Sequence, residues 1–272
     1  MNNAPSRIET LDDRRVAAYL NLRERTLRGE QLFIAEGDLV VNRLLASDFE
    51  VESILVADRF LPRIAAPVAD GVPVYLVEET LLQQIVGFPF YQGILAVGKR
   101  KTLPSAKETT DLLGRETTRL VVLPRTTKPD NLGLIFRSCA ALEATAVLLG
   151  PQCCDPFSRR ALRVSMGAVL QVPILLSSDI AGDLAFLKNS FQYETWGTVL
   201  EEDAEILPGI SPNSRRVALL FGNEFDGLDD PAIAVCDRKV VIPMPPNVDS
   251  LNLGVSVGIF LYALKFSDFH KP

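Results

Sequence analysis

Histidine is nearly absent: the one histidine of this 272-residue chain is His270, close to the end. That excludes a His-based catalytic triad and an HExxH metalloprotease. Cysteine is scarce as well. There are 4, only Cys153 and Cys154 lie close together, and no CxxC occurs, so the usual zinc spacings are missing and no metal is expected. Reduced thiols in a cytoplasmic protein are the expected state. No GxGxxG appears, which removes the main fingerprint of a NAD-binding fold, and no GxSxG nucleophile elbow is present. Long apolar runs are missing too. The longest, residues 251–266, carries Asn252, Ser256 and Lys265 and falls short of the roughly 20 residues a membrane span needs. The first fifteen residues are polar, so neither a secretory signal nor a membrane partner is expected. Positive charge is in deficit, with 28 Lys and Arg against 34 Asp and Glu and a net charge of −6. Bulk charge therefore disfavours nucleic acid binding, while a local basic face stays open.

What is present is alternation. The apolar fraction of 47% is ordinary for a globular chain with a sizeable core. Residues 1–30 read as a polar helical lead-in. Short apolar runs at 32–35, 52–57, 72–76 and 93–98 enclose helical patterns at 38–47 and 79–86, which predicts a small α/β domain over 1–104. The polar stretch 105–118 reads as a linker. From 119 to 272 the alternation is clearer, with strands expected at 120–124, 146–149, 172–176, 194–200, 217–221 and 240–243. Helical patterns fit 131–142, 158–168, 179–188, 230–236 and 251–266. Nearly continuous β-branched strands separated by helices predict a parallel sheet with helices on both faces.

Ligands of open α/β sheets bind at loops beyond the strand C-termini, so those loops hold the candidate site. Three are unusual. One runs Pro129-Asp130-Asn131-Leu132-Gly133 into a helix bearing Arg137. A second runs from the apolar strand ending Leu220-Phe221 into Gly222-Asn223-Glu224-Phe225-Asp226-Gly227-Leu228. Its two glycines have phosphate-loop spacing, but Leu228 and Asp229 stand where Lys and Ser or Thr are required. The third runs Ile242-Pro243-Met244-Pro245-Pro246-Asn247-Val248-Asp249-Ser250-Leu251-Asn252 into the last helix. Taken singly, Asn131, Ser250 and Asn252 fit helix caps, and Gly222 and Gly227 fit turns.

Together and in this order the three segments resemble the SpoU/TrmH family of RNA 2′-O-ribose methyltransferases, within the SPOUT superfamily. Asn131, Gly133 and Arg137 match its Asn-x-Gly-x-x-x-Arg motif; Gly222, Glu224, Gly227 and Leu228 match Gly-x-Glu-x-x-Gly-Leu; Ile242 to Asn252 match Ile-Pro-Met-x-x-x-x-x-Ser-Leu-Asn. The segment Arg163-Val-Ser165-Met-Gly167 is similar to a further family stretch. Phe33-Ile-Ala-Glu36-Gly37 and Gly93-Ile-Leu-Ala-Val-Gly98 resemble the family's N-terminal substrate-binding domain. Departures are Glu143, where Gly is usual, Gly254 and Ser256, where Ser and Ala are usual, and Ala263, where Glu is frequent.

The resemblance implies a C-terminal trefoil knot, S-adenosylmethionine as cofactor and methylation of a ribose in structured RNA, 23S rRNA ahead of tRNA. The alternative at this stage is a non-catalytic RNA-binding protein that keeps the fold. By the same resemblance Arg137, Asn131, Glu224, Ser250 and Asn252 are catalytic. Leu220, Gly222, Asn223, Gly227, Ile242, Met244, Ser250 and Leu251 are implied to bind the cofactor. Arg137 either activates the 2′-hydroxyl or, because guanidinium keeps its proton, clamps phosphate and stabilises the developing alkoxide. Clustered positive charge at Arg23, Arg25, Arg28, Lys99, Arg100 and Lys101 marks the expected RNA-binding face. The final helix, apolar on more than one side, predicts a homodimer.

Overall fold

The computed structural model describes residues 4–22, 29, 31–201 and 203–267. In chain order its elements begin β1 (Ser6–Arg7), β2 (Leu32–Glu36), α1 (Asp38–Leu45), β3 (Val51–Ala57), β4 (Val74–Val77), α2 (Glu79–Val86) and β5 (Ile94–Lys99). They continue α3 (Thr110–Leu113), β6 (Thr118–Leu123), α4 (Pro129–Ala141), β7 (Ala146–Leu149), α5 (Arg159–Val164), β8 (Ile174–Leu176) and α6 (Ile180–Phe191). Last come β9 (Glu194–Thr198), β10 (Glu205–Ile206), β11 (Arg216–Phe221), α7 (Asp230–Ala234), β12 (Arg238–Val241) and α8 (Leu253–Ser267).

The chain divides into two compact units. The first holds the described residues up to Thr102 together with Phe157–Gln171, and the second holds Leu103–Pro156 and the described residues from Val172 onward. In the first, five strands lie in the order β1-β4-β3-β5-β2, with β5 antiparallel to both of its neighbours. Wholly buried runs on β3 and β5, from Ile54 to Ala57 and from Ile94 to Val97, form its centre. Residues 157–171 join this unit for physical reasons. Phe157 stacks on Phe33 at 5.3 Å between ring centroids. Arg159 donates to the buried Glu36 carboxylate at 2.8 Å and to the Leu22 carbonyl at 2.7 Å. A buried carboxylate needs such a partner, and one that contacts only its own strand would not meet it.

Three expectations are corrected here. The described residues between 4 and 22 do not form a helical lead-in: β1 pairs with β4, a 3-10 turn covers Arg14–Tyr19, and Ile8, Val16, Tyr19 and Leu22 are buried. The stretch 105–118 is more than a tether, because Ala106 and Leu113 are fully buried in the core of the second unit. A capping box between Ser105 and Glu108 starts its first turn. The helix expected over 158–168 is the shorter α5, and it serves the first unit.

The second unit is a seven-stranded sheet in the order β10-β12-β9-β11-β6-β7-β8, parallel throughout. Its central strands are largely buried, and every residue of β6 and β7 is, including the polar Thr118 and Arg119 that open β6. The chain steps outward from β6 to β8, then crosses to the far side for β9 and returns with β11 beside β6. That reversal is the switch point at which loops part and a ligand crevice forms. Helix α8 lies on α4. Gly254 permits the approach, since a Cβ there would fall 2.5 Å from the Leu134 Cβ. The departure from Ser at this position is thus a packing requirement.

Candidate active site

The three unusual loops converge. Helix α4 starts on the C-terminal side of β6, with Pro129 in its first turn and Lys128 extended before it, as the residue preceding proline must be. This sets Asn131 in the first turn, buried and facing inward. Beyond β11, Gly222 allows a tight return: a Cβ there would fall 2.0 Å from the Gly227 carbonyl carbon. Asn223 and Gly227 then exchange two backbone hydrogen bonds, at 3.1 and 3.2 Å, which carries Glu224 over Asn131. Asn252, just before α8, accepts from the Gly254 N–H at 2.9 Å and so caps that helix.

A chain of side-chain hydrogen bonds joins the three. The Asn252 amide donates to Asn131 Oδ1 at 2.8 Å, and Asn131 Nδ2 donates to Glu224 Oε1. Each amide uses one donor and one acceptor, which fixes both orientations. Glu224 Oε2 is buried and has no hydrogen-bond partner among the described residues, so the carboxylate has acceptor capacity to spare.

Beside this chain opens a cleft of about 740 Å³. Asn131, Glu224, Ser250 and Asn252 of the expected catalytic set line it, as do Gly222, Asn223, Gly227, Ile242, Met244, Ser250 and Leu251 of the expected cofactor set. Two residues stand elsewhere. Leu220 is wholly buried in the core beneath, because alternate side chains of β11 point to opposite faces. Arg137 is exposed on α4 and does not line the cleft. Six residues beyond Asn131, it lies about 9 Å further along the helix and on another face. Missed by the sequence reading were Thr198 at the end of β9, Val199 and Leu200 just after it, and Lys128 and Phe225. The strand end at β9 is the signal that marks the first three; only the converging fold marks the others.

Burial pushes the Cys153 thiol up to about 11, and burial with its neighbour Cys153 pushes Cys154 up to about 12. Neither supplies a thiolate near neutral pH. Among the described residues no group of three or more His, Cys, Asp or Glu side chains is placed to hold a metal ion, and no helix is long and apolar enough to cross a membrane.

The expected RNA face is only partly described. Arg23, Arg25 and Arg28 lie outside the described residues. Lys99 pairs with Glu50, Lys101 pairs with Asp48 at 2.6 Å, and Arg100 donates to the Leu32 carbonyl at 2.9 Å while its guanidinium covers Phe157. The triplet is a set of occupied cations, not a bare basic patch.

The sequence profile of the SpoU rRNA methylase family matches residues 118–262, more than half of the chain. This chain belongs to that family. An MRM3-like substrate binding domain matches residues 13–96. A Mycobacterium tuberculosis protein named as an uncharacterized tRNA/rRNA methyltransferase is 35% identical, over 96% of this chain and 90% of that protein. The 23S rRNA (guanosine-2′-O-)-methyltransferase RlmB of Acinetobacter baylyi is 31% identical, over 71% of this chain and 77% of that one. Among solved structures, an AdoMet-bound rRNA methyltransferase from Sinorhizobium meliloti is 26% identical, with a TM-score of 0.81, covering 98% of this chain and 99% of that one.

Proposed function

We propose that this chain transfers the methyl group of S-adenosylmethionine to a ribose 2′-hydroxyl of 23S rRNA. The observation that carries the reading is the Asn252–Asn131–Glu224 chain at the wall of a cleft built from three strand ends, in a member of this family. The cleft's volume of about 740 Å³ falls within the range of small-molecule sites, about 300–1,000 Å³. Val199, Leu200, Ile242, Met244 and Leu251 give it apolar walls, and Glu224 leaves a buried anionic oxygen open to a donor or a cation. That combination fits an adenosyl sulfonium: apolar surface for the purine and carboxylate for the positive end. When bound, the cofactor supplies a methyl group on a sulfonium, already activated as an electrophile.

The chain's own residues do the rest. The Ile242–Met244 segment and the prolines after it hold a preordered loop, so little entropy is lost on binding. Asn131 and Asn252 fix Glu224. Ser250, exposed at the cleft, is placed to donate to a phosphate or ribose oxygen. Arg137 stabilises the developing alkoxide as a fixed positive charge. Since it stands outside the cleft of its own chain, the reading includes a homodimer in which Arg137 serves the partner's cleft. Val255, Ile259 and Tyr262, exposed on α8 at helical spacing, offer the apolar seam for that dimer. It also includes a trefoil knot, formed by threading the segment from Ile242 through α8, and docking of RNA on the N-terminal unit.

The test is mass-spectrometric mapping of 2′-O-methyl groups in RNA from cells with and without the protein. Loss of a single modification in the large-subunit rRNA is the expected result. Loss in tRNA would move the substrate, and no loss together with no S-adenosylmethionine binding by calorimetry would leave a non-catalytic RNA-binding protein.

A further inference from the structure

Phe225 is 75% exposed at the tip of the loop after β11. It gains nothing for the fold there, yet the loop holds it firmly. Asn223 Oδ1 accepts from the backbone N–H groups of Phe225 at 2.8 Å and Asp226 at 3.0 Å. The two backbone bonds between Asn223 and Gly227 close the loop below, and Arg125 donates to Asp226 at 3.3 Å beside it. The Lys128 ammonium sits 4.6 Å from the centre of the Phe225 ring, on the loop that leads into α4. No carboxylate pairs with Lys128 among the described residues. Both side chains line the cleft that holds Glu224 and Ser250.

An aromatic face backed by a cation at the mouth of a polar cleft has a specific use. A ribose hydroxyl enters such a cleft only if its nucleotide is drawn out of its stack, and the lost stacking is replaced by aromatic side chains in single-stranded RNA recognition. We propose that Phe225 is the stacking platform for the base of the nucleotide that enters the cleft, and that Lys128 holds an adjoining phosphate. This rests on the methyltransferase reading above and adds to it the residues that grip the substrate. Stacking tolerates any base, so Phe225 supplies grip more than base identity.

The test compares F225A, F225L, F225Y and F225W in the full-length protein. In vitro-transcribed 23S rRNA and an unmodified tRNA transcript are the RNA probes. The expected result is a loss of about tenfold or more in kcat/KM for F225A and F225L, carried mainly by KM, with F225Y and F225W close to wild type. S-adenosylmethionine affinity by calorimetry and the oligomeric state by light scattering stay unchanged in all four. The native Trp196 is wholly buried, so F225W adds an exposed reporter whose fluorescence RNA should quench. Wild-type turnover in F225A, or in F225L, overturns the platform and leaves the methyltransferase reading standing. So does weakened cofactor binding with an unchanged KM for RNA, which would make Phe225 a cofactor contact, or a changed oligomeric state, which would make it an interface residue. If the wild type binds no S-adenosylmethionine and methylates neither RNA, the underlying reading fails. The fluorescence then decides the platform separately: quenching of F225W by RNA keeps it, and no quenching overturns it.

Discussion

The side-chain amide of Asn252 donates to the carboxamide oxygen of Asn131 at 2.8 Å across 121 positions of sequence. Asn131 is only 5% exposed, and its amide in turn donates to Glu224. Removing it would leave one donor and one carboxylate unpaired in a largely buried place. Asn131→Ala is therefore expected to lose about 1–3 kcal/mol of stability, from the cost of unsatisfied polar groups. It should also lower methyl transfer at least tenfold, because Glu224 is no longer held. Urea unfolding and a tritiated-methyl assay check the two effects. Unchanged stability would mean that the hydrogen-bond chain is not maintained in solution.

The legible part of this protein was local. Strand runs such as residues 146–149 and the helix after Pro129 follow from apolar runs and a proline at a helix start, and the structure places them within a residue or two. The cleft loops were legible because Asn131, Glu224 and Asn252 stand at the spacing of the family motifs, although Asn252 also serves the local backbone as the cap of α8. What failed was long-range. Nothing near residue 159 in sequence shows that Arg159 pairs with Glu36, so α5 could not be assigned to the first unit. The strand at Ser6–Arg7 has only two residues, too short for a periodic signal. The basic triplet at 99–101 is visible as charge, but its partners Asp48 and Glu50 come from the turn before β3, the strand beside β5. Phe225 and Lys128 meet only because the loops after β6 and β11 are neighbours in the folded sheet.

Arg137→Ala is expected to abolish methyl transfer while S-adenosylmethionine binding survives, since Arg137 does not line the cleft. A charge that stabilises a transition state is worth about a hundredfold or more, so retained activity above about a tenth would remove the role. The dimer arrangement has its own check. Mixing Arg137→Ala protein with Glu224→Gln protein makes hybrid dimers that pair an intact cleft with an intact arginine from the other chain. About a quarter of wild-type activity should return if the arginine acts across the interface. No recovery, with hybrids shown to form, would place Arg137 in its own chain's site.

Glu143 has a φ of +59°, the left-handed region that glycine adopts without cost. It ends α4: the Ala144 N–H reaches back to the Cys139 carbonyl at 2.9 Å, as in a Schellman cap. The strain of a side chain there is of order 1 kcal/mol. Glu143 also pairs with Lys265 at 3.0 Å, but at 77% side-chain exposure that contact adds little. Glu143→Gly is thus expected to be more stable than Glu143→Ala by about 1 kcal/mol, since both lose the ion pair and only one relieves the Cβ. Urea midpoints of the two variants decide it, and equal midpoints would show that the loop relaxes around any residue.

Lys99 and Lys101 already neutralise Glu50 and Asp48. Hydrogen bonding to Glu50, then its charge, raises the Lys99 pKa, so the ammonium keeps its proton throughout the neutral range. For either lysine to hold a phosphate, the RNA must displace a carboxylate that stays behind and repels it. Two free lysines lost from a phosphate contact would reduce the slope of log affinity against log salt by about 1.8 on duplex and about 1.4 on single strands. The double variant Lys99→Ala with Lys101→Ala is expected to reduce it by well under 1. Asp48→Asn with Glu50→Gln frees both ammonium groups instead, and should strengthen RNA binding and steepen the slope. Fluorescence anisotropy with a labelled rRNA fragment across a salt series measures both. A full two-charge loss in the lysine variant would show that RNA does displace Asp48 and Glu50, and would make the surface around the end of β5 the principal docking face.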